Sequence, residues 1–185
     1  MAFYGQKILP AVRGMKDFEK LVESQYQYIV LLDTHVGQLR GIVKFAKAHG
    51  KKVFLHADLI QGLKTDEYAA EFLCQEIRPD GLISTRTNVV ATARKKGLTA
   101  IQRLFLLDSI ALDTSYKLLK KSQPDYIEVL PGVMPHIIRE VKEAAGIPIF
   151  AGGLIRTAED VEAALDAGSE AVTTSREGLW KHYAP

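Results

Sequence analysis

Ile149-Phe150-Ala151-Gly152-Gly153-Leu154-Ile155, followed by Ala171-Val172-Thr173-Thr174-Ser175, decides how the rest of the chain is read. Each stretch is an apolar run that ends in small residues, and a helical pattern opens directly after it. Glycine has no Cβ, so a Gly-Gly pair lets backbone N–H groups come close to an anion. The second run ends in hydroxyls beside the start of the last helix, where the dipole and unpaired N–H groups favour negative charge. Two such loops in succession, closing a chain of alternating strands and helices, match the phosphate site after strands 7 and 8 of a TIM-type barrel. Two ordinary strand–turn–helix units with glycines for tight turning would contain the same residues. The order of the two halves favours the phosphate site.

Outward from this pair the same alternation continues. Apolar runs read as strands at Lys7–Arg13, Tyr28–Asp33, Lys52–Asp58, Gly81–Thr85, Thr99–Phe105, Tyr126–Leu130, Ile147–Ala151 and Ala171–Thr174. Amphipathic stretches suit helices at Asp17–Ser24, Gln38–His49, Asp66–Ile77, Asn88–Lys96, Ser109–Lys121, Met134–Ala145, Ala158–Ala167 and Glu177–Tyr183. Thr65, Asn88 and Thr157 are N-cap candidates, and Gly50, Gly97, Gly146 and Gly168 stand where helices should stop. Together these predict an α/β fold: one compact (β/α)8 barrel domain over residues 1–185, with a phosphate site at the loops after strands 7 and 8. The fold usually takes about 250 residues, so several helices must be short. An open doubly wound sheet is the rival arrangement.

With 185 residues, 47% hydrophobic and 25% charged, the composition is that of a globular domain. No run of about 18 apolar residues predicts a membrane span. Met1–Gly5 lacks a basic-then-apolar signal pattern, and the single Cys74 reads as a small core residue. Both give the expectation of a cytoplasmic protein. The 24 Lys and Arg against 22 Asp and Glu are near balance, which neither demands nor excludes nucleic acid.

A barrel carries its chemistry at the C-terminal ends of its strands. Those ends hold Arg13, Asp33-Thr34-His35, His56-Ala57-Asp58, Ser84-Thr85-Arg86, Arg103, and Glu128 before Leu130-Pro131-Gly132. Val53, Leu55 and Ala57 would face the helices, so alternation points Phe54, His56 and Asp58 into the mouth. The same parity turns Glu128 inward, where it needs a cation or hydroxyl donors, and Arg13 or Arg103 could supply the charge. Structural ion pairing is the alternative role for both arginines. His49 and His136 lie on helical patterns and read as solvated. Asp33 with His35 and His56 with Asp58 have no diagnostic metal spacing, and no nucleophile–base set is legible, so no metal and no catalytic residue is expected.

Longer motifs run along the same chain. His56-Ala-Asp-Leu-Ile-Gln-Gly-Leu63, Gly81-Leu-Ile-Ser-Thr-Arg86 and Gln102-Arg-Leu-Phe-Leu-Leu-Asp-Ser109 occur in order, then Pro124-Asp-Tyr-Ile-Glu-Val-Leu-Pro-Gly132, Ala151-Gly-Gly-Leu-Ile155, and Thr174-Ser175 with Leu179-Trp180. This set resembles the glycerol-3-phosphate-responsive antiterminators over essentially the whole chain. The resemblance implies a bacterial cytosolic regulator, not an enzyme, with no cofactor. Its effector would be glycerol 3-phosphate, and its partner the leader mRNA of glycerol-catabolic genes, whose terminator it lets transcription pass.

Such an effector is a dianion with two hydroxyls. Gly152, Gly153, Thr174, Ser175 and Gly132 are the candidates for its phosphate. His56, Asp58, Glu128, Arg103, Arg13, Lys64 and Arg86 are the candidates for other polar contacts. The loop Asp58–Thr65, with Gly62 for freedom, is the candidate mobile segment, and Trp180 a candidate subunit contact; a homo-oligomer stays open. Basic clusters close several helices, at Lys44, Lys47, Lys51 and Lys52, at Arg94, Lys95 and Lys96, and at Lys117, Lys120 and Lys121. By charge alone they complement helix dipoles. Under the resemblance, Lys51, Lys52, Arg94, Lys95, Lys96, Lys120 and Lys121 become the RNA contacts. The reading from a different class is a phosphosugar enzyme of isomerase, aldolase or phosphodiesterase type, since fold alone does not decide function.

Overall fold

The computed structural model describes residues 3–185. Met1 and Ala2, part of the segment read for export signals, lie outside the described residues. Eight strands run in parallel and close on themselves in chain order, β1 pairing with β8. They are β1 (Ile8–Val12), β2 (Tyr28–Leu31), β3 (Lys52–His56), β4 (Gly81–Ser84), β5 (Thr99–Phe105), β6 (Tyr126–Leu130), β7 (Ile149–Gly152) and β8 (Ala171–Thr174). Between and after them come α1 (Met15–Glu23), α2 (Val36–Ala48), α3 (Glu67–Phe72), α4 (Thr87–Lys95), α5 (Ser109–Ser122), α6 (Pro135–Ala145), α7 (Ala158–Asp166) and α8 (Glu177–His182). The closed barrel is the expected fold, not the open sheet.

Closure explains why the strands read as near-continuous apolar runs: both of their faces are buried. Alternate residues fill two cores. Val53, Leu55, Ile127, Val129, Ile149 and Val172 pack outward under the helices. Leu9, Ala11, Val30, Phe54, Ile83, Ile101 and Phe150 fill the barrel itself. Phe3 closes the lower end. Its ring meets Tyr28, Tyr126 and Phe150 edge-on, and its N–H donates to the Glu170 carbonyl at 3.0 Å.

Local signals set most helix ends. Thr157 caps α7 in a capping box with Asp160. Gly50, Gly97, Gly146 and Gly168 all take positive φ just beyond helix ends. Two of the three expected N-caps differ. Asp66, not Thr65, caps α3 by accepting from the Ala69 N–H at 2.8 Å. The α4 helix opens one residue early, at Thr87, after Arg86. The third helical stretch is also irregular: α3 passes into a π turn over Leu73–Ile77, ended by Arg78 at φ 57°. Cys74 is buried there, and burial pushes its thiol pKa up to about 11. Among the described residues, no helix is long and apolar enough to cross a membrane.

Candidate functional site

The strand C-termini open on a cavity of about 330 Å3. Its construction starts with strand register. Arg103 on β5 lies directly beside Glu128 on β6, and both point inward because their neighbours along the strands pack outward. Arg103 Nε donates to Glu128 Oε2 at 2.6 Å, and the Thr173 hydroxyl on β8 donates to Oε1 at 2.5 Å. Glu128 is only 1% exposed, and a buried carboxylate is tolerable when its oxygens are satisfied this way. Gly152 makes the arrangement possible: a Cβ there would collide with the Thr173 hydroxyl and come within 3.0 Å of Glu128 Oε1. Its missing side chain thus serves the Thr173–Glu128 bond.

Beyond β7 the chain takes two consecutive left-handed residues, Gly153 at φ 77° and Leu154 at φ 62°. This turn brings Gly153, Leu154, Ile155 and Arg156 to the cavity beside Thr173 and Thr174 of the paired strand β8 and Ser175 and Arg176 just after it. Trp180 Nε1 donates to the Thr174 carbonyl at 2.8 Å, and the Arg176 N–H donates to the Thr174 hydroxyl at 3.2 Å. Four arginines, Arg13, Arg103, Arg156 and Arg176, line the cavity. Glu128 is its one lining carboxylate among the described residues, and it is already paired. A small dianion suits such a wall.

Several residues expected at this site stand elsewhere. Asp58 does not enter the mouth. β3 ends at His56 and a 3-10 turn follows over Ala57–Leu59, so strand alternation stops before Asp58. Its carboxylate instead accepts from the Ser84 hydroxyl and from the N–H (2.8 Å) and hydroxyl (2.7 Å) of Thr85, bracing the ends of β3 and β4. Gly132 donates its N–H to the Gly152 carbonyl at 2.6 Å, and a Cβ would meet the Gly152 N–H nitrogen at 2.8 Å. It is a backbone crossing point between loops. Lys64 and Arg86 do not line the cavity. The loop expected to move is tied at its middle: Gln61 donates to the Thr34 carbonyl and accepts from the Val36 N–H. Trp180 is buried in the core and presents no surface for a second subunit.

Arg13 lines the rim and pairs with Asp33. His56 lies inside the barrel as its parity requires, 3% exposed, with neither ring nitrogen hydrogen-bonded. Burial, helped by the positive charge of Arg103, pulls its pKa down to about 4, so the ring is neutral at pH 7. Thr173, Arg156 and Arg176 join the site without having been expected there. Parity on β8 would have found Thr173, since Val172 packs outward. A cation directly after each small-residue loop marks the two arginines.

At the opposite rim, Lys51 is 9% exposed and its ammonium donates to the carbonyls of Ser24 and Tyr26 at 2.5 and 2.8 Å. It is an internal strut, out of reach of RNA. Arg94 pairs with Asp125 and Lys96 with Glu71. Lys52, Lys95, Lys120 and Lys121 are exposed and form no ion pair among the described residues. No cluster of three or more metal-ligating side chains occurs among the described residues.

Comparison with known proteins agrees in fold and motif. A glycerol uptake operon antiterminator regulatory protein from Listeria monocytogenes superposes with a TM-score of 0.95 at 49% identity, covering 98% of each chain. A glycerol uptake operon antiterminator-related protein from Thermotoga maritima gives 0.83 at 30% identity, covering 95% of this chain and 98% of that one. YgcP, an uncharacterised protein of Escherichia coli K12, is 36% identical over 173 residues, which are 94% of this chain and 91% of that protein. Barrels such as a deoxyribose phosphate aldolase, at 18% identity and a TM-score of 0.69, share the fold alone. The family model of glycerol-3-phosphate responsive antiterminators matches residues 8–180, and the chain belongs to that family.

Proposed function

We propose that the mouth cavity binds glycerol 3-phosphate and that its occupation switches the protein's grip on a leader mRNA, letting transcription pass a terminator. One observation carries the ligand half: four arginines and the β7 and β8 loops converge on a cavity whose carboxylate is already neutralised. Gly153, Ser175, Arg156 and Arg176 hold the phosphate. Arg103, Glu128 and Thr173 meet the glycerol hydroxyls, while His56 lies inside the barrel and does not line the cavity. Arg13 closes the rim. Family membership supports the response to this effector.

Catalysis is not part of this reading. Among the described residues no lysine lines the cavity to form a Schiff base, and Glu128 is held by Arg103 and Thr173 rather than free to move protons. Glycerol 3-phosphate and common phosphosugars, incubated with the protein with and without divalent metal, should remain intact by NMR. Product formation that disappears in Glu128→Gln would favour the enzyme instead.

The RNA half places phosphates on the strand-N-terminal rim, where helices end, at Lys52, Arg94, Lys95, Lys96, Lys120 and Lys121. Mouth and rim are at opposite ends of the barrel, so the ligand must act by its differential affinity for two conformations or assembly states. The deciding experiment is transcription through a glycerol-operon leader with a terminator, in the bacterial cytosol or reconstituted. Read-through should rise with glycerol 3-phosphate and not with glycerol or inorganic phosphate. Read-through independent of the effector would overturn the proposal.

A further inference from the structure

The lower end of the barrel carries a second cavity, about 670 Å3, with an unusual wall. Tyr4 is 71% exposed, yet its ring is not loose: it stacks on Tyr28 with centroids 5.1 Å apart and planes at 22°. Tyr28 is buried and locked against Phe3 and Phe54. The Lys52 ammonium sits 6.0 Å over the Tyr4 ring and 5.2 Å over the Tyr28 ring, and donates to the Tyr28 hydroxyl at 3.2 Å. Tyr126, stacked on Phe150, forms another wall, and Arg94 an edge. A large aromatic ring held rigid but left in water gains little from its own fold. It is pre-organised to receive another flat ring.

We infer that this groove takes one unpaired nucleotide of a single-stranded RNA, with the base stacked on Tyr4 and the neighbouring phosphates along Lys52 and the exposed lysines beyond it. The inference rests on the reading of the protein as an RNA-binding regulator and adds what that surface recognises. Stacking is available to every base, and a cation beside the rings meets the backbone. Two carboxylates also line the groove and shape the pose. Asp80 accepts from the Val53 N–H at 2.9 Å, and Asp125 from the Ala100 N–H at 2.9 Å and from Arg94 at 2.6 Å. They disfavour a phosphate inside and favour base amino groups there, so the base enters and the backbone stays on the rim.

The test compares a ten-nucleotide oligoadenylate with an abasic oligomer of equal phosphate number, by fluorescence anisotropy across a salt series. The wild type should prefer the oligoadenylate by about tenfold, within the range of one stacked base. Tyr4→Ala should erase the preference, Tyr4→Phe should keep it, and all three should share one salt slope. Because the mouth lies at the other end, Tyr4→Ala should keep its melting-temperature rise with glycerol 3-phosphate, which checks folding. Equal affinity of the wild type for both oligomers, or an undiminished preference in Tyr4→Ala, overturns the inference. A change in oligomeric state in Tyr4→Ala with the base preference intact overturns it in favour of a second copy of the chain. Effector-dependent read-through, measured alongside, separates the two levels. Read-through without base preference removes the stacking groove and keeps the regulator. Base preference without read-through supports the groove and removes the regulator.

Discussion

Trp180 is anchored to Thr174: the indole Nε1 donates to the Thr174 carbonyl at 2.8 Å, tying α8 to the end of β8. Trp180 in turn accepts on its own carbonyl from the Tyr26 hydroxyl at 2.8 Å, so one residue links the loop wall to the helix layer. Trp180→Phe keeps most of the packing but removes the indole bond to the Thr174 carbonyl, at a cost of about 1 kcal/mol. The expected outcome is a lower melting temperature together with weaker glycerol 3-phosphate binding by calorimetry. Unchanged affinity would mean that the β8 loop is not part of the ligand wall.

Gly153 tests the other wall. Valine at φ 77° is strained, and its Cβ would lie 3.3 Å from Leu130 Cδ2. Gly153→Val should abolish the rise in melting temperature that glycerol 3-phosphate causes by binding the folded state. For the wild type, plain glycerol should produce much less of a shift than the phosphate ester. Equal shifts from the two compounds would remove the phosphate site.

The Arg103–Glu128 pair should show the asymmetry of buried ions. Arg103→Met strands the Glu128 carboxylate and should cost about 3 kcal/mol in urea unfolding. Adding Glu128→Leu should restore part of that stability while ligand binding stays lost. Stability and binding would then be separated at one site.

His56 gives the fold a pH dependence with a definite sign. Its folded pKa of about 4 lies below the unfolded value, about 6.5, so between those values the unfolded chain binds the extra proton. Its contribution to stability is present at pH 7 and is lost as pH falls from about 6.5 toward 4. Between pH 7 and pH 4.5 the wild type should lose about 2 kcal/mol more than His56→Leu in urea melts. Parallel losses in both proteins would refute this, and would mean that the Glu128 and Asp58 carboxylates, which favour the charged ring, outweigh burial and the Arg103 charge.

Replacing Lys95, Lys120 and Lys121 with Gln should weaken leader RNA binding and reduce its salt slope by about 0.7 for each RNA phosphate no longer neutralised. Calorimetry with glycerol 3-phosphate should be unchanged for the free variant. A wild-type salt slope would make these helix ends a solvated surface and move the RNA site toward the mouth.

The barrel was legible because its signals are local and repeated. Most strands are short runs buried on both faces, and four helices carry their own glycine stop, as Gly97 and Gly146 show. Parity along β3 and β6 also placed His56 and Glu128 inside, since side-chain direction needs only an unbroken strand. Where the strand broke, parity failed: the 3-10 turn after His56 rotates Asp58 away from the mouth and toward Ser84 and Thr85. Helix starts are ambiguous where two cap residues stand side by side, as with Thr65 and Asp66.

Sequence by itself determined the eightfold alternation, the two small-residue loops after β7 and β8, and the motif set that marks the family, because each of these is written in contiguous residues. Only the tertiary structure decided which charges are free. Lys51 looks like its basic neighbours in the chain, yet two carbonyls from the β1–β2 connection capture it. Gly132 and Gly152 look like anion-binding glycines, yet they make room for a backbone crossing and for the Thr173–Glu128 bond. Arg156 and Arg176 look like ordinary surface residues until the pairing of β7 with β8 carries both to one cavity. The partners of a charge come from distant parts of the chain, and closing the barrel is what brings them within hydrogen-bond range.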